Sequence, residues 1–297
     1  VEIEDRVAGV FSLSLGGRLV SCRESLSDLT SGVAMSRCDD KTLTHRLLAR
    51  AGLRVPAQAT VARDEDALDF LKTHTRIVVK PARGEQGRGV FVDLTSKKKV
   101  LAALKQAGAV SDQVLVEEYV TGRDLRIIVI GGDVVAAAIR KPAAICGDGV
   151  HTIIELIDKQ SRRRAAATRG ESMIPLDEET ERAVLGAGYQ LLDVLPADTE
   201  LEVRKTANLH TGGTMQDVTG ELHPKLAQAA CEAARVLNMP VVGLDLIVKA
   251  PNRAHYRFIE ANERPGLANH EPAPTAEKFI DLLFPETRTS GSGPTNV

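Results

Sequence analysis

Two apolar runs near the C-terminal end, Val241-Val242-Gly243-Leu244-Asp245-Leu246-Ile247-Val248 and Phe258-Ile259-Glu260-Ala261-Asn262, each hold one carboxylate among hydrophobic residues. Pro251-Asn252-Arg253-Ala254 lies between them and is turn-forming, so 241–262 is expected to be an antiparallel hairpin. A turn centred between Asn252 and Arg253 places Asp245 directly across from Glu260. Like charges so placed repel. At ~4 Å and an effective dielectric near 20 the bare cost is about 4 kcal/mol. The flanking residues bring little water to relieve it, whereas a divalent cation would. Asn262 lies two residues beyond Glu260, on the same face by the strand period. Asp245, Glu260 and Asn262 then form an oxygen donor set suited to Mg²⁺, a hard ion normally completed by substrate phosphates. The competing reading is an exposed sheet face with solvated carboxylates.

Two or three packed lobes are expected from 297 residues, because a single hydrophobic core stops growing near roughly 250–300 residues. Residues 1–40 read as a hairpin, with Val10–Leu15 and Arg18–Val20 joined at Gly16-Gly17, followed by an extended linker, a remnant of a preceding domain. A helix follows Asp39 or Asp40, either of which can cap it, and ends at Gly52. Residues 41–122 form a small α+β lobe: a helix near 66–72, strands at 77–80, 90–94 and 113–119, a helix at 97–107 and a glycine-rich loop at 84–89. Residues 123–286 form a larger lobe. It opens with a hairpin turning at Gly131-Gly132-Asp133, carries a long insertion with two helices over 147–200, and closes with a helix at 224–237, the 241–262 hairpin and a last helix at 276–284. Residues 287–297 read as a disordered tail. The fold class is α+β.

Hydrophobic residues at 43% and charged residues at 26% describe a folded globular chain. A net charge of −2, 3% aromatic residues and no Trp exclude a general nucleic-acid binder. No apolar run reaches the roughly 20 residues of a membrane helix. The acidic start Val1-Glu2-Ile3-Glu4-Asp5 is no secretory signal, and without an initiator Met it is taken as part of a longer polypeptide. Cys22, Cys38, Cys146 and Cys231 are widely spaced, which points to reduced thiols of a cytoplasmic protein, not to zinc or a redox pair.

Lys80-Pro81-Ala82-Arg83-Gly84-Glu85-Gln86-Gly87-Arg88-Gly89 is a glycine-rich loop between two strands. It opens no helix with Gly-Lys-Ser/Thr, so it is not a Walker loop, and a strand follows it, so it is not a dinucleotide fingerprint. It can fold backbone N–H groups over phosphates, with Lys80 at the end of the incoming strand. It can equally be an ordinary hairpin loop. Arg126, Arg140 and Arg204 sit on strands of the second lobe, where a common sheet face would let them hold phosphate and carboxylate oxygens. Singly, each could be a surface ion-pair residue. No Ser–His–Asp or Cys–His arrangement can be assembled.

Several separated segments together resemble the ATP-grasp superfamily of carboxylate–amine ligases. They are Asp40-Lys41, Val79-Lys80-Pro81, the loop 84–89, Glu117-Glu118-Tyr119-Val120-Thr121-Gly122-Arg123-Asp124-Leu125-Arg126, Asp245, and Glu260-Ala261-Asn262-Glu263-Arg264-Pro265-Gly266. Gly147-Asp148-Gly149 and Arg204-Lys205-Thr206-Ala207-Asn208-Leu209-His210-Thr211-Gly212-Gly213-Thr214 are similar to the ATP-grasp part of the cyanophycin synthetase family; Glu24–Lys41 and Asn262–Gly266 are similar to the N-acetylglutaminylglutamine synthetase family. The resemblance implies an ATP-grasp fold, two α+β lobes with the nucleotide held between antiparallel sheets. It implies ATP and Mg²⁺ as cofactors, with Mn²⁺ accepted, and amide-bond formation through an acyl-phosphate on amino-acid, N-acetyl-amino-acid or peptide substrates.

By the same resemblance Lys41, Lys80 and the loop glycines Gly84, Gly87 and Gly89 serve the nucleotide phosphates, and the two lysines also reach the adenine edge. Glu118, Tyr119 and Val120 line the adenine pocket, and Asp124 binds the ribose. Arg126 and Arg140 face the phosphates or acyl-phosphate, and Asp245, Glu260 and Asn262 hold the metal. Asn208, His210 and His270 lie on the substrate side. Family members carry an N-terminal substrate domain, and only about 40 residues precede Lys41 here, so a missing N-terminal domain is expected as a partner, with homo-oligomerisation open. Two other functions stay in view: a non-catalytic ATP-binding module of a longer chain, and a small-molecule kinase on the same scaffold.

Overall fold

The computed structural model describes residues 1–83, 88–168, 170–268 and 273–287. Gly84, Gly87, His270 and the tail beyond 287 therefore lie outside the described residues. The chain divides into two compact units, one comprising Val1–Ala57, Val120–Ala138 and Asp217 onward, the other Gln58–Tyr119 and Ile139–Gln216.

The first unit opens with four antiparallel strands, β1 (Glu2–Asp5), β2 (Val10–Leu15), β3 (Arg18–Arg23) and β4 (Leu26–Ser27), in that order across the sheet. The expected hairpin is present as β2–β3, with Leu15 opposite Arg18 across the Gly16-Gly17 turn. The expected linker is not extended throughout: Ser31 caps a helix, α1 (Gly32–Asp39), by accepting from Ala34 N. Asp40 then caps α2 (Lys41–Arg50), its carboxylate accepting from Thr42 and Leu43 N at 2.9 and 3.0 Å.

The main sheet of this unit is built on β9 (Arg123–Ile130), β10 (Asp133–Lys141), β14 (Val241–Val248) and β15 (Tyr256–Asn262). Its order is β13-β10-β9-β14-β15, where β13 is the short strand Thr214–Asp217. Leu13, Val20 and Cys22 of the N-terminal sheet pack in one cluster with Ile128, Ile130, Val135 and Val241 of the main sheet and with Phe279 and Leu283 of a C-terminal helix, Thr275–Leu283. The N-terminal segment is thus part of a core. The helix Pro224–Leu237 buries Leu226, Ala229, Ala230, Ala233, Ala234 and Leu237. That spacing makes one apolar stripe, and its alanines permit close approach to the sheet.

In the second unit β5 (Gln58–Val61), β6 (Ile77–Pro81), β7 (Phe91–Leu94) and β8 (Val114–Glu118) form an antiparallel sheet in the order β5-β8-β6-β7. The helices α3 (Asp64–His74) and α4 (Lys97–Gly108) share its core through Ala67, Val100, Ala103 and Leu104. A second cluster is built from β11 (Ala144–Cys146), β12 (Glu200–Glu202), α5 (Ile153–Ala167) and α6 (Glu178–Gly186), the two helices expected in the insertion. Mixed helices and antiparallel sheets agree with the α+β expectation.

Candidate active site

Arg126, Asp245 and Glu260 stand in one row across β9, β14 and β15: Asp245 pairs in register with Arg126 on one side and with Glu260 on the other. The cross-strand placement of the two carboxylates is as the hairpin predicted, although by another route. Nearer the turn the pairs are Leu246 with Phe258, Ile247 with Arg257 and Val248 with Tyr256, a register centred on Asn252 itself. A one-residue bulge at Ile259 shifts the register and returns Glu260 to a position opposite Asp245.

The repulsion anticipated between these carboxylates is relieved by side chains of the same unit. Asp245, 6% exposed, receives a bidentate grip from Arg126: Nε donates to Oδ1, and Nη2 donates to Oδ2 at 2.9 Å. Lys41 Nζ lies 3.0 Å from Glu260 Oε1. Lysine at the first position of a helix is disfavoured by the helix dipole, and Glu260 compensates it. Asn262 Nδ2 points to Asp245 Oδ2 and to Gly243 O, each at 3.4 Å. A Cβ at Gly243 would lie 2.9 Å from Pro265 Cβ and 3.4 Å from Arg126 Cδ, so glycine leaves room for the guanidinium to cross the sheet. Gly243 and the Lys41–Glu260 pair escaped the sequence reading; the dipole-opposed lysine was the available signal. At the strand exit Ser25 Oγ donates to Pro265 O at 2.8 Å, and Arg264 pairs with Glu263 at 3.1 Å.

The fit to a divalent cation rests on donor chemistry. Two carboxylates and one amide, all able to offer oxygen, stand on adjacent strands, which suits Mg²⁺ or Mn²⁺. Among the described residues no three His, Cys, Asp or Glu side chains cluster as a metal site, so the third donor here is the Asn262 amide. Asp124 is half-buried on β9, in register with Ile247. Val120 is half-buried before that strand, and Gly122 meets the next one closely: a Cβ there would lie 2.6 Å from Val248 O.

The second unit holds Lys80, 4% exposed, at the end of β6, where it pairs with Glu117 of β8, 3% exposed. Val78 is in register with Glu117, so Lys80 reaches diagonally across the sheet. Lys80 is a single charge in an apolar strand, as Asp245 is, whereas Glu117 is followed by a second glutamate, Glu118. Gly89 has φ +74°, and a Cβ there would meet Val110 Cγ2 at 3.0 Å. The Tyr119 ring lies 4.6 Å beneath the Arg76 guanidinium, which bonds Asp93 at 2.7 Å; burial raises the Tyr119 phenol above its ordinary range. Glu118 and Arg140 are half-buried on β8 and β10.

Arg204 departs from the expectation of a common sheet face. It lies beyond β12, which pairs only with β11 in a separate two-stranded sheet. Its guanidinium, 4% exposed, binds Asp177 at 2.9 Å, Thr180 at 3.0 Å and Glu179 at 2.5 Å, at the start of α6. It ties the insertion together.

Asn208 and His210 lie in a tight turn. Asn208 Oδ1 accepts from His210 N at 2.9 Å, and Asn208 O accepts from Gly213 N at 2.9 Å. Arg164 and Ser172, not anticipated, bind this turn: Arg164 Nη2 donates to Gly213 O, Arg164 Nε donates to Ser172 Oγ at 3.3 Å, and Ser172 Oγ donates to Leu209 O. A Cβ at Gly213 would lie 2.7 Å from Asn208 O and 2.9 Å from Lys141 O, both backbone atoms. Gly213→Ala is therefore expected to cost about 1–3 kcal/mol as overpacking does, read as a lower melting temperature. Unchanged melting would refute the close packing of this turn. Burial pushes the Cys22 thiol up to about 11 and the Cys38 thiol up to about 12, away from the reactive thiolate form.

Residues 38–148 match the model of the RimK-like ATP-grasp domain. The chain is 33% identical over 282 residues to a cyanophycin synthetase of Trichormus variabilis, covering 89% of this chain and 31% of that protein. It is 30% identical over 271 residues to a glutathione biosynthesis bifunctional protein of Mannheimia succiniciproducens, covering 84% and 35%. Among solved structures, the bifunctional glutathione synthetase of Pasteurella multocida superposes with a TM-score of 0.65 at 25% identity, over 96% of this chain and 41% of that one. The chain thus spans about a third of the length of the curated relatives it matches. Family match, relatives and architecture agree: the chain has the ATP-grasp fold, and its residues 38–148 match the RimK-like ATP-grasp domain.

Proposed function

We propose that this chain is the catalytic portion of an ATP- and divalent-cation-dependent carboxylate–amine ligase that forms an amide bond on amino-acid or N-acetyl-amino-acid substrates. The observation that carries the reading is the row Arg126–Asp245–Glu260 with Asn262 beside it, two carboxylates and an amide on one sheet flanked by cations. The names of the relatives, cyanophycin synthetase and glutathione biosynthesis bifunctional protein, support it.

A substrate carboxylate oxygen attacks the γ-phosphorus of ATP, the bond to the β-phosphate oxygen breaks, and ADP leaves. An amine then attacks the acyl carbon, loses a proton, and displaces phosphate with the C–O electron pair. Such chemistry asks the protein for positioning and charge neutralisation. Asp245, Glu260 and Asn262 would hold Mg²⁺ or Mn²⁺, which when bound neutralises phosphate charge. Lys41, Lys80, Arg126 and Arg140 would hold phosphate oxygens, Glu118, Tyr119 and Val120 the adenine, and Asp124 the ribose. The Asn208–Gly213 turn would orient the substrate, and Arg204 would act through that insertion and not on the phosphate. The loop glycines 84, 87 and 89 would serve the phosphates.

The four free cysteines fit a cytoplasmic enzyme, and no helix among the described residues is long and apolar enough to cross a membrane. Acceptor binding would be completed by a further domain, as the greater length of the relatives suggests. The test is ADP release from MgATP with a panel of amino acids and N-acetylated amino acids, followed by mass spectrometry of the products. Amine-dependent ADP release with a new amide mass is the expected result. A stable phosphorylated product would replace the ligase by a kinase, and MgATP binding without turnover would replace it by a binding module.

A further inference from the structure

Both carboxylates of the row at the centre of the first unit are held by cations. Asp245 and Glu260 contribute two negative charges, and Arg126 and Lys41 contribute two positive ones in direct contact with them. Both atoms of the Asp245 carboxylate are engaged by one guanidinium. The Asn262 amide also turns a donor, not its oxygen, toward that carboxylate. The space above Gly243 that admits Arg126 marks the arrangement as built, since any side chain there would press on both Arg126 and Pro265.

A divalent cation arriving alone meets carboxylates already paired with an ammonium and a guanidinium, and like charges at this range repel. A triphosphate changes the balance. Its oxygens match the guanidinium fork as a carboxylate does, and they accept from an ammonium equally well. Once the cations turn to phosphate, the carboxylate oxygens become available.

We propose that Arg126 and Lys41 are exchangeable internal counter-ions that make divalent-cation binding at Asp245, Glu260 and Asn262 conditional on a bound nucleoside triphosphate. The proposal rests on the metal site of the ligase reading and adds an order of events to it. It also accounts for how two facing carboxylates are tolerated in a sheet while no metal is present: the same cations that hold the phosphates hold the carboxylates first.

The experiment is Mn²⁺ binding followed by electron paramagnetic resonance, with and without a non-hydrolysable ATP analogue, on the wild-type chain, Arg126→Met and Lys41→Met. Wild type is expected to bind Mn²⁺ at least ~10-fold more tightly with the analogue than without. Each variant is expected to gain roughly 10-fold in analogue-free Mn²⁺ affinity, because one repelling charge is gone, while its affinity for the analogue falls. Arg126→Met leaves a buried carboxylate uncompensated; if circular dichroism shows it unfolded, Lys41→Met carries the test, because Glu260 is about one-third exposed. Equal Mn²⁺ affinity with and without the analogue in wild type would overturn the counter-ion role and leave the metal site standing. No Mn²⁺ binding in any protein, even with the analogue, would overturn the metal site itself.

Discussion

Glu260→Ala is expected to lower metal-dependent ADP formation on the order of 10³-fold, equivalent to about 4 kcal/mol of lost transition-state stabilisation, while leaving the melting temperature within a few degrees of wild type. The two effects separate because of where Glu260 lies. Its side chain is about one-third exposed and pairs with the Lys41 ammonium at 3.0 Å, so the pair belongs with the partly solvated ion pairs. Such pairs contribute about 0.2–1 kcal/mol to stability. Asp245 is a poorer probe. Its carboxylate is buried and holds the Arg126 guanidinium through both oxygens, so Asp245→Ala orphans a buried cation and costs about 3–5 kcal/mol. A loss of activity there would not distinguish metal binding from unfolding. Initial rates of ADP release for Glu260→Ala at saturating Mg²⁺ and ATP, beside a thermal melt, make the measurement. Turnover like that of wild type would remove Glu260 from the metal site.

The facing carboxylates were legible because strand pairing is geometric: two apolar runs, a turn and a residue count place Asp245 across from Glu260. The count assumed a symmetric turn, and the bulge at Ile259 offset a turn centred elsewhere, so the right pair came from a register that holds only beyond the bulge. What neutralised them was not legible. The sequence does not say that the first residue of α2 or the middle of β9 reaches the same row; those contacts cross 219 and 119 positions of chain. Arg204 failed for the same reason from the other side. It follows a strand-like segment, but β12 is three residues long and pairs away from the main sheet. The N-terminal segment was read as a hairpin and linker because alternation marks strands but cannot show that Leu13 and Val20 pack in one core with residues more than 100 positions away. Helix boundaries fared better, since Asp40 and the proline-led start of the 224–237 helix are local signals.

Lys80 poses the opposite problem, because its ion pair with Glu117 is buried on both sides, at 5% and 4% side-chain exposure. Removing either partner alone leaves a charge in the core of the second unit, so Lys80→Met is expected to cost about 3–5 kcal/mol. Any loss of nucleotide affinity in that variant is uninterpretable. Replacing both partners by apolar residues of similar volume, Lys80→Met with Glu117→Leu, removes the buried charge as a pair, and such exchanges are often neutral or better for stability. The double variant is therefore expected to melt near the wild-type temperature. An ammonium carries three donors and Glu117 takes one of them. If the others serve a phosphate, the double variant loses a charged hydrogen bond worth about 1.5–3 kcal/mol, and its Kd for MgATP rises roughly 10–150-fold. Isothermal titration with MgATP, on protein whose melt has been recorded, distinguishes the two roles. A stable double variant that binds MgATP as wild type does would make Lys80–Glu117 a purely structural pair, and phosphate contact in this unit would then fall to the loop that follows β6.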